Sequence, residues 1–139
     1  AHDCEVGSHC VIVNGVSLAG EVEVGDWAII GGHSAVHQFC RIGGYTMIQG
    51  GSRTSKDIPP FIIGGKEPIS YCGLNIVGLR RRGFSPELIE NIHNAYRLIY
   101  NSNLTVNEAV EQIKEQIPMS KEIEYIIEFV TSSQRGIIR

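Results

Sequence analysis

The sequence predicts a mainly β chain: a left-handed parallel β-helix of hexapeptide repeats followed by a small C-terminal α-helical domain. Three observations carry that expectation. An apolar, mostly branched residue returns every sixth position at Val6, Ile12, Leu18, Val24, Ile30, Val36, Ile42 and Ile48, with Thr54 in the next slot as the pattern frays. A second register, four residues later in each unit, holds small or moderate residues: Cys10, Val16, Val22, Ala28, Ser34, Cys40, Thr46 and Ser52. Beyond Ser85 the spacing becomes that of amphipathic helices. Period six is neither the helical period of about 3.6 nor the alternation of a hairpin strand. It belongs to a solenoid whose short strands each turn a corner and stack on the coil below.

Three hexads make one triangular coil, so residues eighteen apart should stack in columns: Val6, Val24 and Ile42; Ile12, Ile30 and Ile48; Leu18, Val36 and Thr54. The solenoid is assigned to residues 1–64, roughly three and a half coils and near the minimum of about three for a stable stack. Ala1-His2-Asp3-Cys4 is already in register, with Cys4 in the small slot, and no polar capping turn precedes it. Terminal repeats normally need such a cap, so the chain is expected to lack N-terminal coils and to be a fragment. The hexads dissolve at Asp57-Ile58-Pro59-Pro60, where two prolines remove donors and stiffen the exit. Residues 65–84 read as an irregular connector ending in Arg80-Arg81-Arg82.

Residues 85–139 read as the helical domain, with three helices. Ser85 caps the first, Pro86 opens it, and Leu88, Ile92, Ala95 and Ile99 recur at helical spacing until Asn101-Ser102-Asn103. Thr105 and Glu108 form a capping box for the second, whose apolar residues are Val106, Ala109, Val110, Ile113 and Ile117. Pro118 ends it. Ser120 caps the third, which carries Ile123, Ile126, Ile127 and Val130.

At 139 residues, 42% hydrophobic and 19% charged, the composition is that of one globular core with an appendage. A net charge of −3 argues against a general nucleic-acid binder. No stretch approaches the roughly 18 apolar residues of a transmembrane span. Of the cysteines at 4, 10, 40 and 72, three fall in the small inward register and read as buried reduced thiols, which suits a cytoplasmic protein. His33 and His37 do not suggest a zinc site, because residues four apart on an extended strand lie about 13 Å apart and no third histidine has a fitting spacing. No metal is expected.

Several segments are far more specific than the hexads. They are Ala1-His2-Asp3-Cys4, Ala35-Val36-His37-Gln38-Phe39-Cys40, Asn75 and the run Gly78-Leu79-Arg80-Arg81-Arg82-Gly83-Phe84-Ser85, Asn94-Ala95-Tyr96 with Leu98-Ile99-Tyr100, and Arg135-Gly136-Ile137-Ile138-Arg139. Over the whole chain these closely resemble the bacterial UDP-N-acetylglucosamine O-acyltransferases. The resemblance implies an acyltransferase that moves a 3-hydroxyacyl group from acyl carrier protein to the sugar's 3-hydroxyl, the first acylation of lipid A biosynthesis. It also implies a homotrimer with active sites between neighbouring solenoids. No cofactor of its own is implied, since the phosphopantetheine arrives on the carrier protein. The fragment alone is expected to be inactive.

A sugar hydroxyl is a poor nucleophile, so a base must take its proton as it attacks a thioester, and a neutral imidazole suits this near pH 7. The resemblance places that base at His2, with Asp3 to orient the ring, and the oxyanion-binding amide at Gly20. It places His37 and Gln38 along the groove for the donor's arm and acyl group. Asn75, Arg81 and Arg82 would contact the UDP portion or the acidic carrier, since guanidinium groups fork onto phosphate oxygens. Asn14, Gly32 and Gly50 form one column, and the resemblance sets Gly32 and Gly50 along the acyl channel, with Gly50 at its far end. His9 and His93 read as surface residues.

Two positions depart from the family pattern. Glu21 stands where members carry a further active-site histidine, and Val77 replaces an acidic residue near the nucleotide. They leave open whether the acceptor bears a hydroxyl or an amine at its 3-position. The alternatives are therefore a related N-acyltransferase acting on a UDP-glucosamine derivative and a non-catalytic trimeric solenoid.

Overall fold

The computed structural model describes residues 1–139, which divide into two compact units: residues 1–75 with 133–139, and residues 76–132. In the first, each hexad contributes one two-residue strand: β1 (Glu5–Val6), β2 (Val11–Ile12), β3 (Ser17–Leu18), β4 (Glu23–Val24), β5 (Ile29–Ile30), β6 (Ala35–Val36), β7 (Arg41–Ile42), β8 (Met47–Ile48) and β9 (Arg53–Thr54). Every strand pairs in parallel with the one a coil away. Val6 lies opposite Val24 and Val24 opposite Ile42, Ile12 and Ile30 lead to Ile48, and Leu18 and Val36 lead to Thr54. The expected left-handed β-solenoid, of about three turns, is what the unit forms.

Its core is the branched column set, with Val24, Ile30, Val36, Ile42 and Ile48 at most 4% exposed. Burying each such side chain stabilises the stack by about 1.5–3 kcal/mol. The small register is inward too: Val22, Ala28, Ser34, Cys40, Thr46 and Ser52 are all buried. Its hydroxyls spend their protons on corner carbonyls, Thr46 Oγ1 on Gly43 O at 2.9 Å and Ser34 Oγ on Gln49 O at 3.2 Å. Burial pushes the Cys40 thiol above its ordinary range, so it stays protonated.

Each corner needs one residue in left-handed backbone. Only Gly15 and Gly51 supply it with glycine; Asp3, His9, Glu21, Trp27, His33, Phe39 and Tyr45 take φ between 57° and 69°. That conformation costs an L-residue about 1–2 kcal/mol. Stacking between corners offsets part of it, since the His9 ring lies flat on Trp27 with centroids 4.0 Å apart.

The stack continues beyond the two prolines. Ile58 bridges to Ile42, and Pro60 closes over Gly43 so tightly that a Cβ there would meet its ring nitrogen. β10 (Ile62–Gly65) then pairs in parallel with β8 and turns back into the antiparallel β11 (Ser70–Leu74).

The second unit holds four helices where the periodicity suggested three: α1 (Ile76–Arg81), α2 (Pro86–Tyr100), α3 (Val106–Gln116) and α4 (Lys121–Ser132). The segment 65–84 is therefore not irregular. Part of β10, all of β11 and α1 lie in it, and each is too short, or too rich in glycine, to show a period. The caps are as expected: Ser85 accepts from Leu88 N, Ser120 from Ile123 N, and Thr105 with Glu108 closes the reciprocal box. Ile92, Ile99, Ile113, Ile123, Ile126 and Phe129 are among its buried residues. The last residues do not continue the helices. Asp57 bridges to Ile137, which returns 133–139 to the solenoid unit.

Candidate active site

Stacking by eighteen brings His2, Gly20 and Gln38 together at one corner. A Cβ on Gly20 would lie 2.8 Å from both Cε1 and Nε2 of His2 and 3.2 Å from Nε2 of Gln38. Glycine is thus what lets the histidine ring lie against the neighbouring coil. The ladder at this corner is made by Ala19 N–H to Val36 O and Glu21 N–H to His2 O, which leaves the Gly20 N–H outside it. His2 Nδ1 sits 3.2 Å from Asp3 Oδ2, and both side chains are largely in solvent, at 70% and 76% exposed. A carboxylate on Nδ1 favours a proton there and leaves Nε2 with a lone pair. Chemically the corner pairs a proton acceptor with an amide donor and the Gln38 side chain.

A second corner, six residues earlier in each coil, holds Asn14, Gly32 and Gly50. The Gly32 oxygen would be 3.3 Å from a Cβ on Gly50. The two corners flank one outer face, that of β3, β6 and β9, and six extended residues span at most about 20 Å. Across that face runs an open cleft of about 460 Å³ lined by Ser17, Ala19, Ala35, His37, Arg53 and Ser55 among others. His37 lies at its rim and meets Arg135, whose Nη2 is 3.3 Å from His37 Nδ1. Sequence patterns did not single out Arg135 as a site residue; a contact 98 residues away in the chain leaves no local signal.

Asn75 is buried at 6% exposure, with its Nδ2 donating to Tyr45 O at 3.1 Å. Arg81 and Arg82 belong to the helical unit, as does Val77, and all three are exposed. Part of the local pattern around the arginines has a structural cause. Phe84 N–H returns to Leu79 O and Gly83 N–H to Arg80 O, with Gly83 at φ 85°, which is a glycine-terminated helix end with its basic residues near the C-terminal dipole. Glu21 is exposed beside Gly20. No group of three or more His, Cys, Asp or Glu side chains is arranged to hold a metal ion. No helix is long and apolar enough to cross a membrane.

Fold and site together define a hexapeptide-repeat β-solenoid with a histidine–amide corner and a helical C-terminal unit. Residues 57–138 match the family described as UDP N-acetylglucosamine O-acyltransferase, domain 2. The acyl-[acyl-carrier-protein]–UDP-N-acetylglucosamine O-acyltransferase of Burkholderia mallei is 46% identical over 142 residues, covering 99% of this chain and 54% of that protein. Among solved structures, LpxA from Bacteroides fragilis is 57% identical with a TM-score of 0.99, over all of this chain and 55% of its own. LpxA from Acinetobacter baumannii is 44% identical with a TM-score of 0.95, over all of this chain and 54% of its own. The chain belongs to the UDP-N-acetylglucosamine O-acyltransferase family, and it spans about half the length of the curated relatives it matches.

Proposed function

We propose that this chain carries the acyl-transfer site of an enzyme that moves a 3-hydroxyacyl group from acyl carrier protein to the 3-hydroxyl of UDP-N-acetylglucosamine, opening lipid A biosynthesis in the cytoplasm. The observation that carries the reading is the corner itself, His2 Nε2 packed against Gly20 with Gln38 alongside. His2 takes the sugar's hydroxyl proton on Nε2 while Asp3 holds Nδ1. The oxygen attacks the thioester carbonyl, and the Gly20 N–H donates to the oxyanion, a contribution of about 3 kcal/mol for one good donor. The carbon–sulfur bond then breaks, and the leaving thiolate recovers the proton from His2.

His37 and Gln38 position the donor's arm, and the acyl chain runs across the β3–β6–β9 face toward Gly32 and Gly50. Arg81 and Arg82 receive the nucleotide or the acidic carrier. A homotrimer is favoured by the contrast between the outer faces. One outward row is Val11, Ile29 and Met47, while the other two are Glu5, Glu23 and Arg41, and Ser17, Ala35 and Arg53. Val11 is 52% exposed and Met47 39%, an apolar stripe suited to another copy.

One observation favours a second reading. The Glu21 carboxylate beside the corner would suit a 3-amino sugar, whose ammonium it could receive before deprotonation. Transfer from acyl carrier protein to UDP-N-acetylglucosamine and to its 3-amino analogue, measured in parallel, distinguishes the two acceptors. In the same assay, run on the full-length enzyme, His2→Ala should lower kcat by about two to four orders of magnitude with little change in KM. Near-normal turnover would remove His2 as the base, and with it this account of the corner.

A further inference from the structure

The C-terminal residues 133–139 are tied to the solenoid through Asp57, which is 2% exposed. Asp57 N–H donates to Gly136 O at 2.9 Å, and Asp57 O accepts from Ile138 N–H at 3.0 Å. Its carboxylate accepts from Ser133 Oγ at 2.6 Å and from the Arg41 N–H at 2.8 Å. Ile137 and Ile138 are buried. Anchored in this way, Arg135 donates through Nε to Ser55 O at 2.9 Å and brings Nη2 to 3.3 Å from His37 Nδ1.

A guanidinium has donors only and keeps its charge. The contact can be a hydrogen bond only if His37 Nδ1 is the acceptor, which leaves the proton of the neutral ring on Nε2. The Gln38 carbonyl, 3.5 Å from the same nitrogen, would favour Nδ1–H, but its contact is the longer and weaker of the two and it carries no charge. His2 has the opposite partner on the same atom, a carboxylate oxygen at 3.2 Å. A carboxylate favours Nδ1–H and a bare Nε2; a guanidinium favours a bare Nδ1 and Nε2–H.

We propose that Arg135 is a positioning residue that fixes His37 as the Nε2-protonated tautomer, so that His37 offers a hydrogen-bond donor to a carbonyl group in the cleft while His2 remains the only base. The identity of that carbonyl, on the thioester donor, rests on the acyl-transfer reading; the tautomer is a property of the free protein. The C-terminal segment thereby sets the chemistry of a side chain 98 residues away.

Nitrogen-15 spectra of histidine-labelled protein test this without substrate. The chain has five histidines, and His37→Gln identifies the signal of interest. Above about pH 8, where histidine rings are neutral, His37 should show a protonated Nε2 and a bare Nδ1. Arg135→Met should raise the Nδ1-protonated population at least about threefold, the scale expected for losing a charged donor at an exposed site. Arg135→Lys should recover part of the difference. A ring protonated on Nδ1 in the unaltered protein, or a ratio unmoved by Arg135→Met, overturns the proposal. Ser133→Ala loosens the anchor of Arg135 but retains the guanidinium, so it should shift the ratio in the same direction and by less; a shift larger than that of Arg135→Met also overturns the proposal. In the transfer assay Arg135→Met should raise the KM for the acyl donor more than it lowers kcat. Absence of transfer in the unaltered whole enzyme that carries this chain sinks the enzymatic reading and leaves the tautomer result standing.

Discussion

Gly50 is where the absence of a side chain has a consequence that can be measured. Its Cβ would meet the Gly32 oxygen at 3.3 Å, so a larger residue there requires the Gly32 backbone to give by a few tenths of an ångström. A methionine would project from the corner that ends the β3–β6–β9 face. Gly50→Met should therefore move the preferred donor toward shorter acyl chains, with discrimination of severalfold per carbon because each buried methylene contributes about 0.8 kcal/mol. A ladder of acyl carrier protein thioesters assayed with both forms checks this, and an unmoved optimum assigns chain length to another residue. At this scale the sequence was informative where chemistry repeats with the coil. His2, Gly20 and Gln38 are eighteen apart, so their meeting could be read from position alone. Arg135 obeys no such rule, and neither does the bond from the Asn75 amide to the Tyr45 carbonyl.

Among the elements, α3 shows how a local signal becomes stability. The Thr105 N–H donates to Glu108 Oε1 at 2.9 Å, and this bond first, then the Thr105 hydroxyl, holds the Glu108 carboxyl below its ordinary range. A depressed carboxylate stabilises the folded state above the unfolded value of about 4.3, and that contribution is lost as pH falls through the folded value. Glu108→Ala, which removes the titrating acceptor, should lower the melting temperature by a few degrees near neutral pH, with the gap to the parent closing under acid. Calorimetry across pH 3–7 measures it; a gap that stays constant with pH would mean the box is not the cause. Capped helices and hexad strands were legible because each carries its own stop and start. The hairpin β10–β11 and the short α1 were not, since β10 is fixed by its pairing with β8 and the six residues of α1 show no period.

For the whole molecule, the outward row Val11, Ile29 and Met47 bears on assembly. Met47→Glu places a charge on the apolar stripe while its neighbour Ile48 continues to fill the core. The variant should keep its β-type circular dichroism and, if the row is the face of the proposed trimer, sediment as a monomer. A trimer that persists would place the contact on another face.

The order of residues alone specifies the solenoid, the stacking columns, the three capped helices and the meeting of His2, Gly20 and Gln38. Each follows from a rule that repeats within a few residues or within one coil. It takes the folded chain to show that the stack continues past Pro59 and Pro60, that residues 133–139 rejoin the solenoid through Asp57, and that Arg135 reaches His37. Those outcomes depend on which distant segment satisfies a buried carboxylate or an open strand edge. Periodicity does not encode such a choice; it is settled when the chain closes on itself and its buried polar groups find partners.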